Sequence, residues 1–173
     1  MSDAAPDSPP AKRVDRRTAA RIAVVQALYQ SDMSDDSAID DIIAEFTEYH
    51  PRVENDEAPP LKVDPTLFAD ITRGTADRLE EVDALITTAL VDGWTMDRLE
   101  ALLRAVLRAG GFELLARPET PAKVVINQYV DVAHAFFGRG EPGFVNGVLD
   151  RLAHQLRAGE FTTADKLPAK ETG

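Results

Sequence analysis

Residues 99–116, LEALLRAVLRAGGFELLA, form the most apolar segment of the chain and decide its fold. Their helical spacing of apolar residues predicts an α-helix at the centre of the molecule. The same helical periodicity continues on both sides of this segment, with almost no strand alternation and no convincing internal repeat. Six or seven such helices with short connections predict a compact all-α fold.

Capping residues before apolar periodic runs predict where the helices begin. The predicted caps are Asp15, Asp64 before Pro65, Thr95, and Thr120 before Pro121. The first helix is predicted to bury Ile22, Val25, Leu28 and Tyr29. A second helix is predicted over 37–48, and the helix that begins at Pro65 is predicted to break near Gly74.

The composition bounds the class of protein. With 173 residues, of which 44% are hydrophobic, the chain is long enough for one domain with a core. We expect a single helical domain over 12–157 between disordered tails at 1–11 and 158–173, which have little apolar content. No apolar run approaches the ~18 residues of a membrane span, and the N-terminus lacks the apolar core of a secretory signal. A cytoplasmic protein is therefore expected.

Signatures of enzymes are scarce. The sequence has no GxGxxG, Walker, HExxH or GxSxG motif. It has no cysteine, which excludes disulfides, thiolate metal sites and cysteine nucleophiles. We expect no catalytic site, no cofactor and no metal. Trp94 and Phe112 are predicted to be core residues, whereas Phe136 and Phe144 flank a glycine-rich turn and could lie in the core or at the surface.

Positive charge is concentrated at the start of the first helix. The whole chain has a net charge of -11, which opposes non-specific binding of nucleic acid, yet five cations and one anion lie between Ala11 and Gln30. Cations at a helix N-terminus oppose the helix dipole by some tenths of a kcal/mol each. A bound polyanion would reverse that penalty, so the pattern favours a nucleic-acid contact. The alternative is that these residues only keep the helix soluble.

Two passages resemble the NusB family of bacterial transcription antitermination factors. They are RRTAARIAVVQALYQ (16–30) and LLRAVLRAGGFELLARPETPAKVVINQYVDVAHAFFGRGEPGFVNGVLDRLAHQLR (102–157). The recurrent pieces of the family occur here in order, as Val25–Tyr29, Arg108 with Glu113-Leu114, Pro121–Asn127 with Val130 and Ala133, and Phe144–Asp150. The resemblance covers roughly residues 13 to 157.

The resemblance implies two antiparallel helical bundles packed together. It also implies binding of boxA, a single-stranded RNA element in ribosomal RNA leaders, together with the basic ribosomal protein S10 (NusE), in a complex with RNA polymerase and other Nus factors. The positions that match the RNA-binding segment are Arg13, Arg16, Arg17, Arg21 and, more weakly, Tyr29. The positions that match the S10-facing surface are Phe136, Glu141 and Phe144.

The chain departs from the family near the implied S10 surface. The turn GRGEPG keeps only Glu141 where relatives often have several acidic residues, and Leu102 and Leu103 stand where charged residues are common. The polar insertion over 49–63 is also unusual and is assigned no role.

Other functions are compatible with an all-helical chain. A related module occurs in front of RNA cytosine methyltransferases, but this chain ends soon after the module and has no cysteine to attack a pyrimidine ring. A helical scaffold or oligomerisation protein is the second alternative. Some relatives self-associate over the RNA surface, so a homodimer is possible, and the sequence does not decide between monomer and dimer.

Overall fold

A computed structural model describes residues 15–35, 37–48 and 63–161. These residues form seven α-helices, with a short 3-10 turn at Met96–Arg98 between the fourth and the fifth. The helices are α1 Arg16–Met33, α2 Ile39–Glu48, α3 Pro65–Asp77, α4 Leu79–Ala89, α5 Ala101–Ala116, α6 Ala122–Phe136 and α7 Glu141–Leu156. No strand occurs in these three ranges, so the all-α prediction is confirmed.

Helix α5 is the central helix, as its apolar sequence predicts. It packs against α1 and α3 on one side and against α4, α6 and α7 on the other. Helices α1, α2 and α3 contact one another, and α6 and α7 form a second group with α4 and α5. A continuous apolar core joins the two groups through residues of α5 such as Val106, Leu107 and Leu114. None of the described helices is long and apolar enough to cross a bilayer.

Two glycines permit close packing around α5. A Cβ atom on Gly110 would lie 2.8 Å from Leu149 Cδ1, so glycine lets α5 approach α7 closely. A Cβ on Gly74 would lie 2.2 Å from Phe112 Cζ, so Gly74 of α3 makes room for the Phe112 ring. The predicted break in this helical stretch occurs four residues after Gly74: α3 continues to Asp77, and the break falls at Arg78 before α4 begins.

The predicted caps are confirmed only in part. Asp15 accepts from the Arg17 N–H, and Asp64 accepts from the Leu67 N–H with Pro65 in the first turn. Thr95 instead precedes the 3-10 turn and makes no side-chain cap. The sequence-predicted cap at Thr120 is wrong too, because Glu160 Oε1 accepts from the first N–H of α6, that of Ala122, at 3.0 Å.

The end of the predicted helical domain lies further along the chain than the sequence indicates. Residues 158–161, assigned above to the C-terminal tail, form a helical turn, and the Phe161 ring stacks on His154 with centroids 3.9 Å apart. Residues 1–14, 36, 49–62 and 162–173 lie outside the described residues, and with them Lys12, Arg13, all of the predicted N-terminal tail and the rest of the C-terminal one.

Candidate nucleic-acid interface

The N-terminal end of α1 presents two free guanidinium groups. Arg16 and Arg17 occupy the first turn, and both side chains are exposed. Within the ranges that the structure describes, neither guanidinium forms an ion pair or a side-chain hydrogen bond. Cations here oppose the helix dipole, whereas the Asp15 carboxylate caps α1 by accepting from the Arg17 N–H. This end of α1 can therefore attract an anion. Arg13, the third arginine predicted here, lies outside the described residues.

Arg21 is not part of this exposed cluster. Its residue is only 3% exposed, and its guanidinium donates to both oxygens of the fully buried Glu113, over 2.7 Å from Nε and 2.8 Å from NH2. Burial alone would lower the pKa of Arg21, but the Glu113 carboxylate raises it above its usual value, so the guanidinium stays charged. The prediction that Arg21 contacts RNA is therefore wrong.

The sequence does hold a signal for the burial of Arg21. Val24, Val25 and Leu28 follow it by three, four and seven residues, and all three are core residues. That spacing places Arg21 on the buried face of α1. Its partner Glu113 lies 92 residues away in the chain, so the spacing alone could not reveal how the charge is satisfied.

Tyr29 lies on α1 about 18 Å along the helix axis from Arg17, at 1.5 Å per residue. Its predicted burial is wrong, because the residue is 40% exposed. An exposed tyrosine ring is available for stacking on a base, so the structure leaves Tyr29 accessible to RNA.

A polar cleft opens beside the cationic end of α1. It has a volume of about 540 Å³ and lies between the N-termini of α1 and α3, the connection between α5 and α6, and the first half of α6. Arg17 lines this cleft together with Arg117, whose NH2 lies 3.4 Å from Glu119 Oε1. The sequence reasoning missed Arg117, because it stands in RPET, a stretch typical of a turn.

A second surface combines aromatic and acidic side chains. An apolar groove of about 220 Å³ is lined by Trp94, Leu99, Leu103, Glu141 and Phe144, with Gly140 at its edge. The Trp94 and Phe144 rings lie 5.9 Å apart at 58°. Leu103, one of the departures from the family pattern, contributes to the apolar character of the groove.

The structure separates the residues predicted for partner binding. Glu141 and Phe144 meet in the apolar groove, whereas Phe136 is half-buried at the end of α6, packs against the core and does not line the groove. Trp94 is 47% exposed, so its assignment to the core is wrong, while Phe112 is buried as predicted. A short polar loop before a helix gives no local signal that its tryptophan will be exposed.

Comparisons with known proteins agree with this fold. The NusB family pattern matches residues 18–154. Proteins named transcription antitermination protein NusB from Bradyrhizobium sp. (strain BTAi1) and Nitrobacter hamburgensis are both 46% identical, over 150 and 152 residues. Each alignment covers 87% of this chain, and 88% and 93% of the respective relative.

Solved structures show the same fold. T. maritima NusB superposes with a TM-score of 0.68 at 28% identity, over 87% of this chain and 99% of that one. A NusB chain in a crystal structure of antitermination factors NusB and NusE with double-stranded RNA has a TM-score of 0.62 over 81% of this chain and 97% of its own, and at 22% identity it supports the fold alone. From the family match and the 46% identity to curated relatives, the chain belongs to the NusB family.

Proposed function

We propose that this chain is a transcription antitermination factor that binds boxA single-stranded RNA of ribosomal RNA leaders together with ribosomal protein S10 (NusE). In this role it acts in a complex with RNA polymerase and other Nus factors and keeps the polymerase from terminating early. The names of its 46% identical relatives support antitermination, and a similar fold occurs in the crystal structure of antitermination factors NusB and NusE with double-stranded RNA. Nascent ribosomal RNA is cytoplasmic, and so is the proposed site of action.

One observation carries the RNA-binding part of the proposal. Arg16 and Arg17 are exposed at the N-terminus of α1 without a carboxylate partner among the described residues, in a chain whose net charge is -11. Many arginines elsewhere are paired, such as Arg104 with Asp32 at 2.7 Å and Arg108 with Asp83 at 2.8 Å. Two unpaired guanidiniums at a helix N-terminus fit phosphate oxygens.

Arg13 and Tyr29 are assigned to the RNA contact because of their positions before and along α1. Arg13 precedes the same helix in sequence and adds a third cation. Tyr29 offers an exposed ring for a base, the usual contact of a single strand whose bases are unstacked.

The apolar groove is the proposed S10 surface. Phe144 and Glu141 lie together in it, so an apolar side chain and a cation of a basic protein can be bound side by side. Phe136 packs against the core, as Phe144 does, but it does not line the groove. Neither surface requires a reaction, so the proposed function is binding without catalysis.

The test is retention of labelled boxA RNA on the immobilised protein, with and without S10, against a scrambled RNA of equal length. We expect retention that depends on sequence and increases with S10. Arg16→Ala with Arg17→Ala should abolish it. The matched control is Arg73→Ala with Arg78→Ala, which removes the same charge from two arginines that pair with Asp40 and Glu81 on the surface.

The outcomes separate the proposal from its alternatives. Equal retention of boxA and scrambled RNA would contradict sequence-specific binding and favour a scaffold. Retained binding by the Arg16 and Arg17 double variant would show that the RNA site lies elsewhere. Equal loss in both double variants would show that net charge alone controls the binding.

A further inference from the structure

The polar cleft is joined directly to the proposed phosphate-binding end of α1. Arg17 lines it, and the Asp64 N–H donates to the Arg16 carbonyl over 3.3 Å, which ties the start of α3 to the start of α1. Its volume of about 540 Å³ is within the range of about 300–1,000 Å³ that is usual for small-ligand sites. A group attached to a phosphate on Arg17 can therefore enter the cleft.

Gln128 supplies an oriented hydrogen-bond donor in the cleft. Its Oε1 accepts from Thr18 Oγ1 at 2.9 Å and from Arg21 NH1 at 3.4 Å, and Arg21 is itself fixed by Glu113. With the carbonyl oxygen occupied, the amide NH2 of Gln128 is directed away from both donors. No acceptor binds this NH2 among the residues described, and Gln128 lines the cleft.

Asp70 supplies a free acceptor. The other carboxylates of the cleft already have partners: Asp15 and Asp64 cap helices, and Glu119 pairs with Arg117. Asp70 is exposed on α3, lines the cleft and has no ion pair or hydrogen bond within the described part of the chain. Asp70 thus offers an acceptor and Gln128 a donor in the cleft, neither of which has a partner among the described residues.

The charges of the cleft favour a neutral ring inside it. Four carboxylates line it, against Arg17, Arg117 and the already neutralised Arg21, so a phosphate is favoured only at the exposed Arg17 and is repelled from the rest of the cleft. A base that has an exocyclic amino group fits, because its N–H groups can donate to Asp70 while a ring nitrogen or carbonyl accepts from Gln128. Leu67 and the 44% exposed Val124 give the ring apolar contacts.

We propose that the polar cleft binds one unstacked guanine, adenine or cytosine of the RNA, with Asp70 and Gln128 contacting the edge of the base and Arg17 its phosphate. This inference rests on the proposed RNA-binding function. It adds a site that contacts the edge of a base to a surface that otherwise offers phosphate contacts and the Tyr29 ring for stacking.

The test is the affinity of Asp70→Asn for boxA RNA in the presence of S10, combined with RNAs that each carry one abasic position. Removal of a negative charge alone should strengthen RNA binding. Loss of a base contact should weaken it, by about tenfold for a two-bond contact. The loss of the base contact and the loss of the negative charge therefore change the RNA affinity in opposite directions.

We expect one abasic position that lowers the affinity of the unmodified protein about tenfold and that of Asp70→Asn by a smaller factor, because the variant has already lost part of the contact to that base. Asp77→Asn, an equal charge change on an exposed residue further along α3, should not weaken binding. Unchanged or stronger binding by Asp70→Asn, or abasic penalties of equal size in the variant and the unmodified protein, would overturn the cleft proposal alone. Failure of the unmodified protein to prefer boxA over scrambled RNA would overturn the proposed function as well.

Discussion

Arg21 of α1 and Glu113 of α5 form a bidentate ion pair in the interior, with the carboxylate fully buried. The Tyr129 hydroxyl of α6 donates to the same carboxylate, so three helices meet at one charged group. Burial, and then the charge of Glu113, raises the pKa of Tyr129 well above its usual value, which keeps the phenol protonated as a donor. Arg21, which the sequence assigns to the RNA-binding segment, thus holds three helices together.

Breaking this pair should destabilise the fold. In Arg21→Met the buried Glu113 carboxylate loses its counter-ion, and we expect the free energy of unfolding to fall by about 3–5 kcal/mol. Urea unfolding followed by circular dichroism measures this change. Arg16→Ala, at an exposed position, should stay within about 0.5 kcal/mol of the unmodified protein. A change below about 1 kcal/mol in Arg21→Met would contradict a buried, charged pair.

The salt dependence of RNA binding should report how many phosphate contacts are made at the start of α1. With Arg21 buried, three arginines remain available: Arg13, Arg16 and Arg17. At roughly 0.7 per contact for single strands, log K should fall with log salt at a slope of about -2.1. Replacing Arg16 and Arg17 by alanine should make the slope shallower by about 1.4.

Fluorescence anisotropy over a salt series measures this slope. The double variant Arg73→Ala with Arg78→Ala loses the same charge and should keep the slope of the unmodified protein. A slope that changes equally in both variants would show that the contacts are not localised on α1.

The helices could be predicted from the sequence because their signals are local. Apolar spacing and cap chemistry involve residues within a few positions of each other, and they correctly identify the central α5 and the Asp64-Pro65 start of α3. The exposed Arg16 and Arg17 follow from the same local pattern.

The errors occur where distant residues decide the outcome. Arg21 is buried because Glu113 is present on another helix, and Thr120 does not cap α6 because Glu160, 40 residues later, accepts from its first N–H. The exposure of Trp94 likewise depends on how its loop packs beside α7, against Phe144. Spacing within α1 indicates the buried face that holds Arg21, but no spacing rule within one helix identifies partners such as Glu113, Glu160 or Phe144.

Glu160 should stabilise the fold in a pH-dependent way. The Ala122 N–H and then Arg157 lower the pKa of its carboxyl below the usual value. Because the folded pKa is below the unfolded one, the stabilisation is complete above the unfolded pKa and is lost as the pH falls through the folded one. Glu160→Gln should therefore lower the free energy of unfolding at neutral pH, by less than about 1 kcal/mol for this half-exposed group.

Unfolding measured at neutral pH and at a pH of about 3 tests this prediction, since the difference between variant and unmodified protein should shrink in acid. Glu48→Gln, an exposed residue at the end of α2, provides the control and should not lower the free energy of unfolding at neutral pH, because a carboxylate at a helix C-terminus opposes the helix dipole. A difference that is constant with pH would mean that Glu160 acts through packing rather than through its charge.

The apolar groove should bind S10 chiefly through its aromatic rings. Trp94 is largely exposed beside Phe144, so truncation removes ring area from the surface without emptying the core, and we expect Trp94→Ala to weaken S10 binding by about 2 kcal/mol, roughly thirtyfold. Calorimetric titration with S10 measures this loss. Val91→Ala, an exposed apolar residue outside the groove, should leave S10 binding unchanged.

The direct RNA affinity of Trp94→Ala without S10 should also be unchanged, because the groove is lined by residues other than those of the cationic end of α1. Equal loss of S10 and RNA binding in a variant that unfolds at the same urea concentration would contradict two separate surfaces.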